Sequence, residues 1–225
     1  MEQLYINLIY YFPSIRMATL RWNAMIDDVS LKAAESLVER LALKIEGVEF
    51  PASDRNRLAA ACFHQALEHH ESILVLVRRS LLGSVMALVR PMFEIYIRGI
   101  WLNICASDAD LDKFQKGKLD RQFAEFISDI ESHEGYNVGV LSEVKKSSWR
   151  AMNDYTHGGA LQVIRRITPD SIASNYSDEQ ILEVIAFAGG VGYWATSEVA
   201  LLARREDIAT ELLEELKVNN GVSSK

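Results

Sequence analysis

Apolar positions recur at three- and four-residue steps almost from end to end of this chain, and alternating strand patterns are nearly absent. Leu31, Ala34, Leu37, Val38, Leu41 and Ile45 form one such stripe. It predicts an amphipathic helix that starts near Ser30 and is closed by Gly47 and Pro51. Ser53 is placed to cap a long helix from Asp54 through Leu58, Ala61, Cys62, Gln65, Leu67 and Ile73 toward Arg79, with Gly83-Ser84 bending or breaking it. The stretch from Ser84 to Cys105 is apolar on nearly every side, which marks it as the central helix. Pro91 within it predicts a kink, because proline removes a backbone donor and clashes with the preceding turn. Ser107-x-x-Asp110 predicts a capped short helix ending near Gly117, and Phe123, Phe126, Ile127 and Ile130 the apolar side of another. Gly135-Tyr136-Asn137 reads as a loop before a helix that starts near Val140. Thr168-Pro169-Asp170-Ser171 is turn chemistry. Ser177-x-x-Gln180 is a capping box ahead of another long helix. Ile208, Leu212, Leu213 and Leu216 mark a last acidic amphipathic helix, and residues 218–225 read as a frayed tail. The implied fold class is all-α, a single-domain multi-helix bundle of six to eight helices spanning residues 1–225.

Composition narrows the function. Of 225 residues, 49% are apolar and 24% charged, the balance of a globular protein that can bury a substantial core. A net charge of −7 argues against broad, non-specific nucleic-acid binding and leaves room for a local basic site. Cys62 and Cys105 lie far apart with no C-x-x-C pattern, which predicts free thiols and a cytoplasmic protein. The early apolar run (Leu4 to Phe12) has no basic region before it and no cleavage site after it. Residues 1–24 therefore read as an N-terminal arm or a translated upstream extension. Arg90, Glu94, Arg98 and Asn103 interrupt the apolar stretch from Leu81 to Ala106, so a buried core helix is expected there and no membrane span.

The candidate chemistry concentrates in Trp149-Arg150-Ala151-Met152-Asn153-Asp154-Tyr155-Thr156-His157-Gly158-Gly159. Arg150 and His157 are seven positions apart, close to two helical turns, so both fall on one face about 10 Å apart along the axis. Asn153 and Asp154 lie between them. A guanidinium, an amide, a carboxylate and an imidazole in one stripe suit chemistry on a phosphate. If the helix stops at Gly158, the last-turn carbonyls and Asp154 favour the imidazolium of His157; if it continues through the glycines, that argument weakens. The plainer alternative is an ordinary Arg150–Asp154 i,i+4 pair and a histidine with no reactive role.

Four further features bear on the site. Arg90, Glu94 and Arg98 repeat every four residues on the most apolar helix. They read either as an internal ion network completed by acids from other helices, with Asp154 a candidate, or as a second layer bracing the Arg150–His157 cleft. Residues 143–166 carry five positive and two negative side chains, a local excess in which Lys146, Arg165 and Arg166 are candidate contacts for RNA phosphates. His64, Glu68, His69, His70 and Glu71 are dense in potential ligands, yet no Glu-x-x-His occurs, so no metal and no cofactor is expected. Gly189-Gly190-Val191-Gly192 lacks the lysine of a phosphate-binding loop and predicts close approach of two helices.

Arginine, six residues, then histidine near the end of a late helix in an all-α chain resembles the HEPN superfamily. The segment Ser72–Leu102, with Leu88-Val89-Arg90-Pro91-Met92-Phe93-Glu94 at its centre, resembles bacterial families placed in or near HEPN. The resemblance spans roughly Leu58 to Arg166. It implies a metal-independent ribonuclease site formed where two protomers meet, in a phage-defence or toxin setting with an antitoxin protein as a further partner. His157 would then move a proton and Arg150 would hold the phosphate, with Asn153 and Asp154 assisting. Active members commonly carry a polar residue directly after the arginine, whereas this chain has Ala151. The competing expectation is therefore a non-catalytic, HEPN-like module that binds a nucleotide or a protein.

Overall fold

A computed structural model describes residues 28–169 and 171–219. Among these the chain forms nine helices: α1 (Asp28–Ile45), α2 (Asp54–Arg78), α3 (Leu82–Ile104), α4 (Asp108–Gln115), α5 (Phe123–Glu131), α6 (Val140–Thr156), α7 (Ala160–Ile164), α8 (Asp178–Leu202) and α9 (Glu206–Asn219). The only β feature among the described residues is a single antiparallel bridge between Ile167 and Ile172. The all-α expectation stands, but the count exceeds six to eight. The additional element is α7, whose five residues are too few to display a stripe. The arm expected over residues 1–24 lies outside the described residues. The chain is still helical at Asn219, past the expected start of the frayed tail, and residues 220–225 lie outside the description.

Local sequence sets the ends of these elements. The side chains of Ser53, Ser107 and Ser177 accept from the backbone N–H of Asn56, Asp110 and Gln180, each satisfying an orphan donor of a first helical turn. α3 sits at the centre, packed against α2, α8, α6 and α5, with Met92, Phe93, Ile97, Ile100 and Leu102 fully buried. α8 shares that role more than periodicity suggested, since residues 193–202 are buried without a break. It is long and apolar enough to cross a membrane, yet most of its apolar window is enclosed by α1, α2, α3 and α9. Its glycines do what their spacing predicted. A Cβ on Gly192 would strike the His70 ring at 2.5 Å, so only hydrogen there lets α2 and α8 close.

Pro91 matters in a way the expected kink did not capture. α3 continues through it as one helix. Proline supplies no N–H for the carbonyl four residues earlier, which is that of Ala87. That carbonyl instead accepts from the Thr156 hydroxyl of α6 at 3.2 Å, a contact the hydroxyl shares with its own Met152 carbonyl at 2.9 Å. The missing helix bond thus becomes an interhelical one, and it fixes the last residue of α6 against α3.

A candidate phosphate site in the groove between α3 and α6

α6 buries Met152 and Tyr155, half-buries Trp149 and Thr156, and leaves Arg150, Asn153 and His157 exposed. It ends where the glycines predicted. His157 is the C-cap, its N–H bonding to Asn153 O at 3.1 Å, and Gly158 follows at φ +67°. Gly159 N–H then bonds to Asp154 O at 2.7 Å, and the Asp154 carboxylate accepts from Leu161 N–H at 2.5 Å, capping the first turn of α7. A Cβ on Gly159 would meet the Asp154 backbone carbonyl at 3.1 Å and overlap its carboxylate. Asp154 therefore anchors the turn. It makes no ion pair with Arg150 or Arg90 among the described residues, so neither the i,i+4 pair nor its place in the arginine network forms.

Arg90 holds the centre. Its Nε–H donates to Glu94 Oε1 at 2.7 Å, and one terminal nitrogen reaches both Asn153 Oδ1 at 2.6 Å and His157 Nε2 at 2.5 Å. Sequence placed Arg90 behind the site; the structure puts it in contact with the histidine. A guanidinium can only donate, so in this hydrogen bond Nε2 is the acceptor. Trp149 sets the height of Arg90. The indole stacks on Phe123 at 4.5 Å and 6°, and the Arg90 guanidinium carbon lies 4.6 Å from the indole centroid.

Glu94 bridges both arginines, taking Arg90 on one oxygen and Arg98 Nη1 on the other at 3.1 Å. No acid from another helix joins this trio among the described residues. The Arg90 and Glu94 side chains keep 17% and 15% of their exposure and Arg98 keeps 33%, so the array is partly desolvated and opens at the Arg98 end.

Two open depressions flank the Arg90–Asn153 contact. One, of about 290 Å³, is bordered by Gln65, His69, Glu94, Arg98 and His157. The other, of about 530 Å³, is bordered by Lys145, Lys146, Trp149, Arg150, Asn153 and Asp154. Arg150 and His157 thus share an accessible helix face but border neighbouring hollows, with Arg90 and Asn153 between them. Arg150 has no hydrogen bond or ion pair among the described residues, while Lys146 pairs loosely with Glu143 at 3.6 Å. Arg165 and Arg166 border neither hollow; the Arg166 guanidinium rests against Gly83 at the start of α3.

The sequence hid three participants. Gln65 and His69 come from a distant helix, and Trp149 looked like core. His69 lay inside the dense His64–Glu71 run, which helical rotation splits: His64 and Glu68 face solvent, His69 faces the groove and His70 enters the core. No group of three His, Cys, Asp or Glu suited to a metal occurs among the described residues.

A family model matches residues 63–219, from α2 to the end of α9; it describes a family of unknown function, DUF6988. No curated protein and no solved structure matches the chain.

Proposed function

The chain belongs to this family of unknown function, and from the groove itself we propose that it is a metal-independent ribonuclease of HEPN type. The observation that carries this reading is the contact of His157 Nε2 with Arg90 in an open groove, with an uncommitted Arg150 on the next exposed face.

In this reading an RNA phosphodiester lies across Asn153. Arg90 turns its donors from Nε2 to a non-bridging phosphate oxygen, and Arg150 takes another. The freed Nε2 accepts the proton of the 2′-hydroxyl. The 2′-oxygen then bonds to phosphorus, the bond from phosphorus to the 5′-oxygen breaks, and that oxygen takes a proton from a second acid. A second copy of the chain supplies this acid from its own His157, with its proton added beforehand. Val163, Ile164, Ile167 and Ile172, in the segment after the His157 turn, stay exposed, and this apolar surface is where two copies pair.

Mixed RNA incubated with the protein in excess chelator tests the proposal. The parent cleaves, and His157→Ala and Arg150→Ala each lose at least about 100-fold in rate, the scale of removing an acid–base group or a charge-stabilising donor. Equal activity in parent and variants rejects it.

A second reading is a non-catalytic nucleotide-binding module. It is favoured by the occupation of Nε2 by Arg90 and by exposed Ala151, which offers no polar group beside Arg150. RNA or nucleotide binding without cleavage at any protein concentration selects it.

A further inference from the structure

The smaller hollow has a chemistry that phosphate handling alone does not use. Pro91 and Ile95, one turn apart on α3, form an apolar wall. Gln65 and His69, one turn apart on α2, form a polar one. Arg98 stands at the end away from Thr156 and His157, hydrogen-bonded among the described residues only to Glu94 Oε2, with its guanidinium carbon 5.9 Å from the Phe126 ring centroid. Its other guanidinium nitrogens are uncommitted. Both Glu94 oxygens are taken by the two arginines, so the hollow has no free carboxylate to hold a cationic ligand. His69 is half-buried, and desolvation pushes its pKa below the ordinary histidine value, against a weaker pull from Glu68. It thus presents a neutral ring with one donor and one acceptor. Gln65 adds an amide with both, engaged only by a long 3.5 Å contact to Glu68.

We propose that this hollow between α2 and α3 is a nucleotide-recognition subsite. The edge of one base pairs with Gln65 and His69, its face lies on Pro91 and Ile95, and its phosphate is held by Arg98. A volume of about 290 Å³ is on the scale of one nucleotide-sized group. An amide and an imidazole reading base edges, with an apolar surface under the ring, is how single-stranded RNA is distinguished by sequence. The subsite deepens the ribonuclease reading by naming what selects the cleaved position, and its border with His157 places the selected nucleotide next to the reacting phosphate.

The test is a set of calorimetric titrations of the full chain, which need no cleavage. The probes are the four ribonucleoside 5′-monophosphates, inorganic phosphate and ribose 5-phosphate. At least one nucleotide binds about tenfold more tightly than either base-free probe. Gln65→Leu and His69→Leu change the ranking of the four bases while leaving phosphate binding unaltered. Arg98→Ala weakens every probe, and Arg98→Lys, which keeps the charge and loses the fork, recovers part of the loss. Thermal melts of each variant confirm folding before titration. Nucleotides binding no better than phosphate, a base ranking unmoved by Gln65→Leu, or no binding at millimolar concentration would each overturn the subsite. Its failure is separable from that of the ribonuclease. Base-selective binding with no cleavage leaves the subsite standing alone, and cleavage with no base-selective binding leaves the nuclease without it.

Discussion

His157 and His70 show how one residue type is put to opposite uses by its surroundings. His157 ends a helix in the open, with a guanidinium on Nε2. His70 is 1% exposed, pressed on Gly192, and its Nε2 has no hydrogen-bond partner. Burial pushes its pKa down to about 4. The unfolded chain then binds a proton that the folded chain refuses, so stability rises with pH. The contribution is complete above about pH 6.5 and is lost progressively as pH falls toward 4. Its full size is about 3 kcal/mol, from 1.4 kcal/mol per pKa unit. Urea unfolding between pH 7 and 4.5 measures it, and His70→Leu flattens the profile over that window relative to the parent. A parallel decline in the variant would show that another group is responsible. Nothing in the sequence separated these two histidines beyond the helical register that turns His70 inward.

Among the elements, α6 owes its position to a defect in α3. Because Pro91 leaves the Ala87 carbonyl open, Thr156 bonds there and brings His157 within reach of Arg90. Pro91→Ala restores a donor that competes for Ala87 O. It removes the cost of about 3 kcal/mol that proline carries in a helix interior. The expected outcome is a higher melting temperature with lower RNA cleavage, read on the same protein by calorimetry and by gel. A gain in both would show that the Thr156 latch does not position the site. Helix ends were readable wherever a side chain caps them, as at Ser53, Ser107 and Ser177. α7 was not readable, because it depends on an aspartate seven residues before its bonding partner and on Gly158 taking positive φ. The Arg150–His157 stripe was readable from spacing. Its coupling to Arg90 was not, because that contact spans 67 positions and depends on how two helices pack.

Across the whole molecule, a chain of net charge −7 gathers Arg90, Arg98, Lys145, Lys146 and Arg150 around one groove. Periodicity was enough to give the bundle and its most apolar helix, but it could not rank α3 against α8 as the centre. That depends on which helices close around each. The apolar residues beyond His157 bear on assembly, with Ile172 80% exposed and Ile164 59%. Light scattering is expected to show a dimer that Ile164→Asp converts to monomer, with cleavage falling in step. A parent that cleaves as a monomer would contradict the shared site.

The most direct test reads the ends left on RNA. Attack by the 2′-oxygen leaves a 5′-hydroxyl on the downstream fragment, which accepts label from polynucleotide kinase without prior phosphatase. The parent is expected to leave such ends in excess chelator, His157→Ala to leave none, and DNA of the same sequence to stay intact. Cleavage of the DNA, fragments ending in 5′-phosphate, or undiminished cleavage by His157→Ala would contradict it.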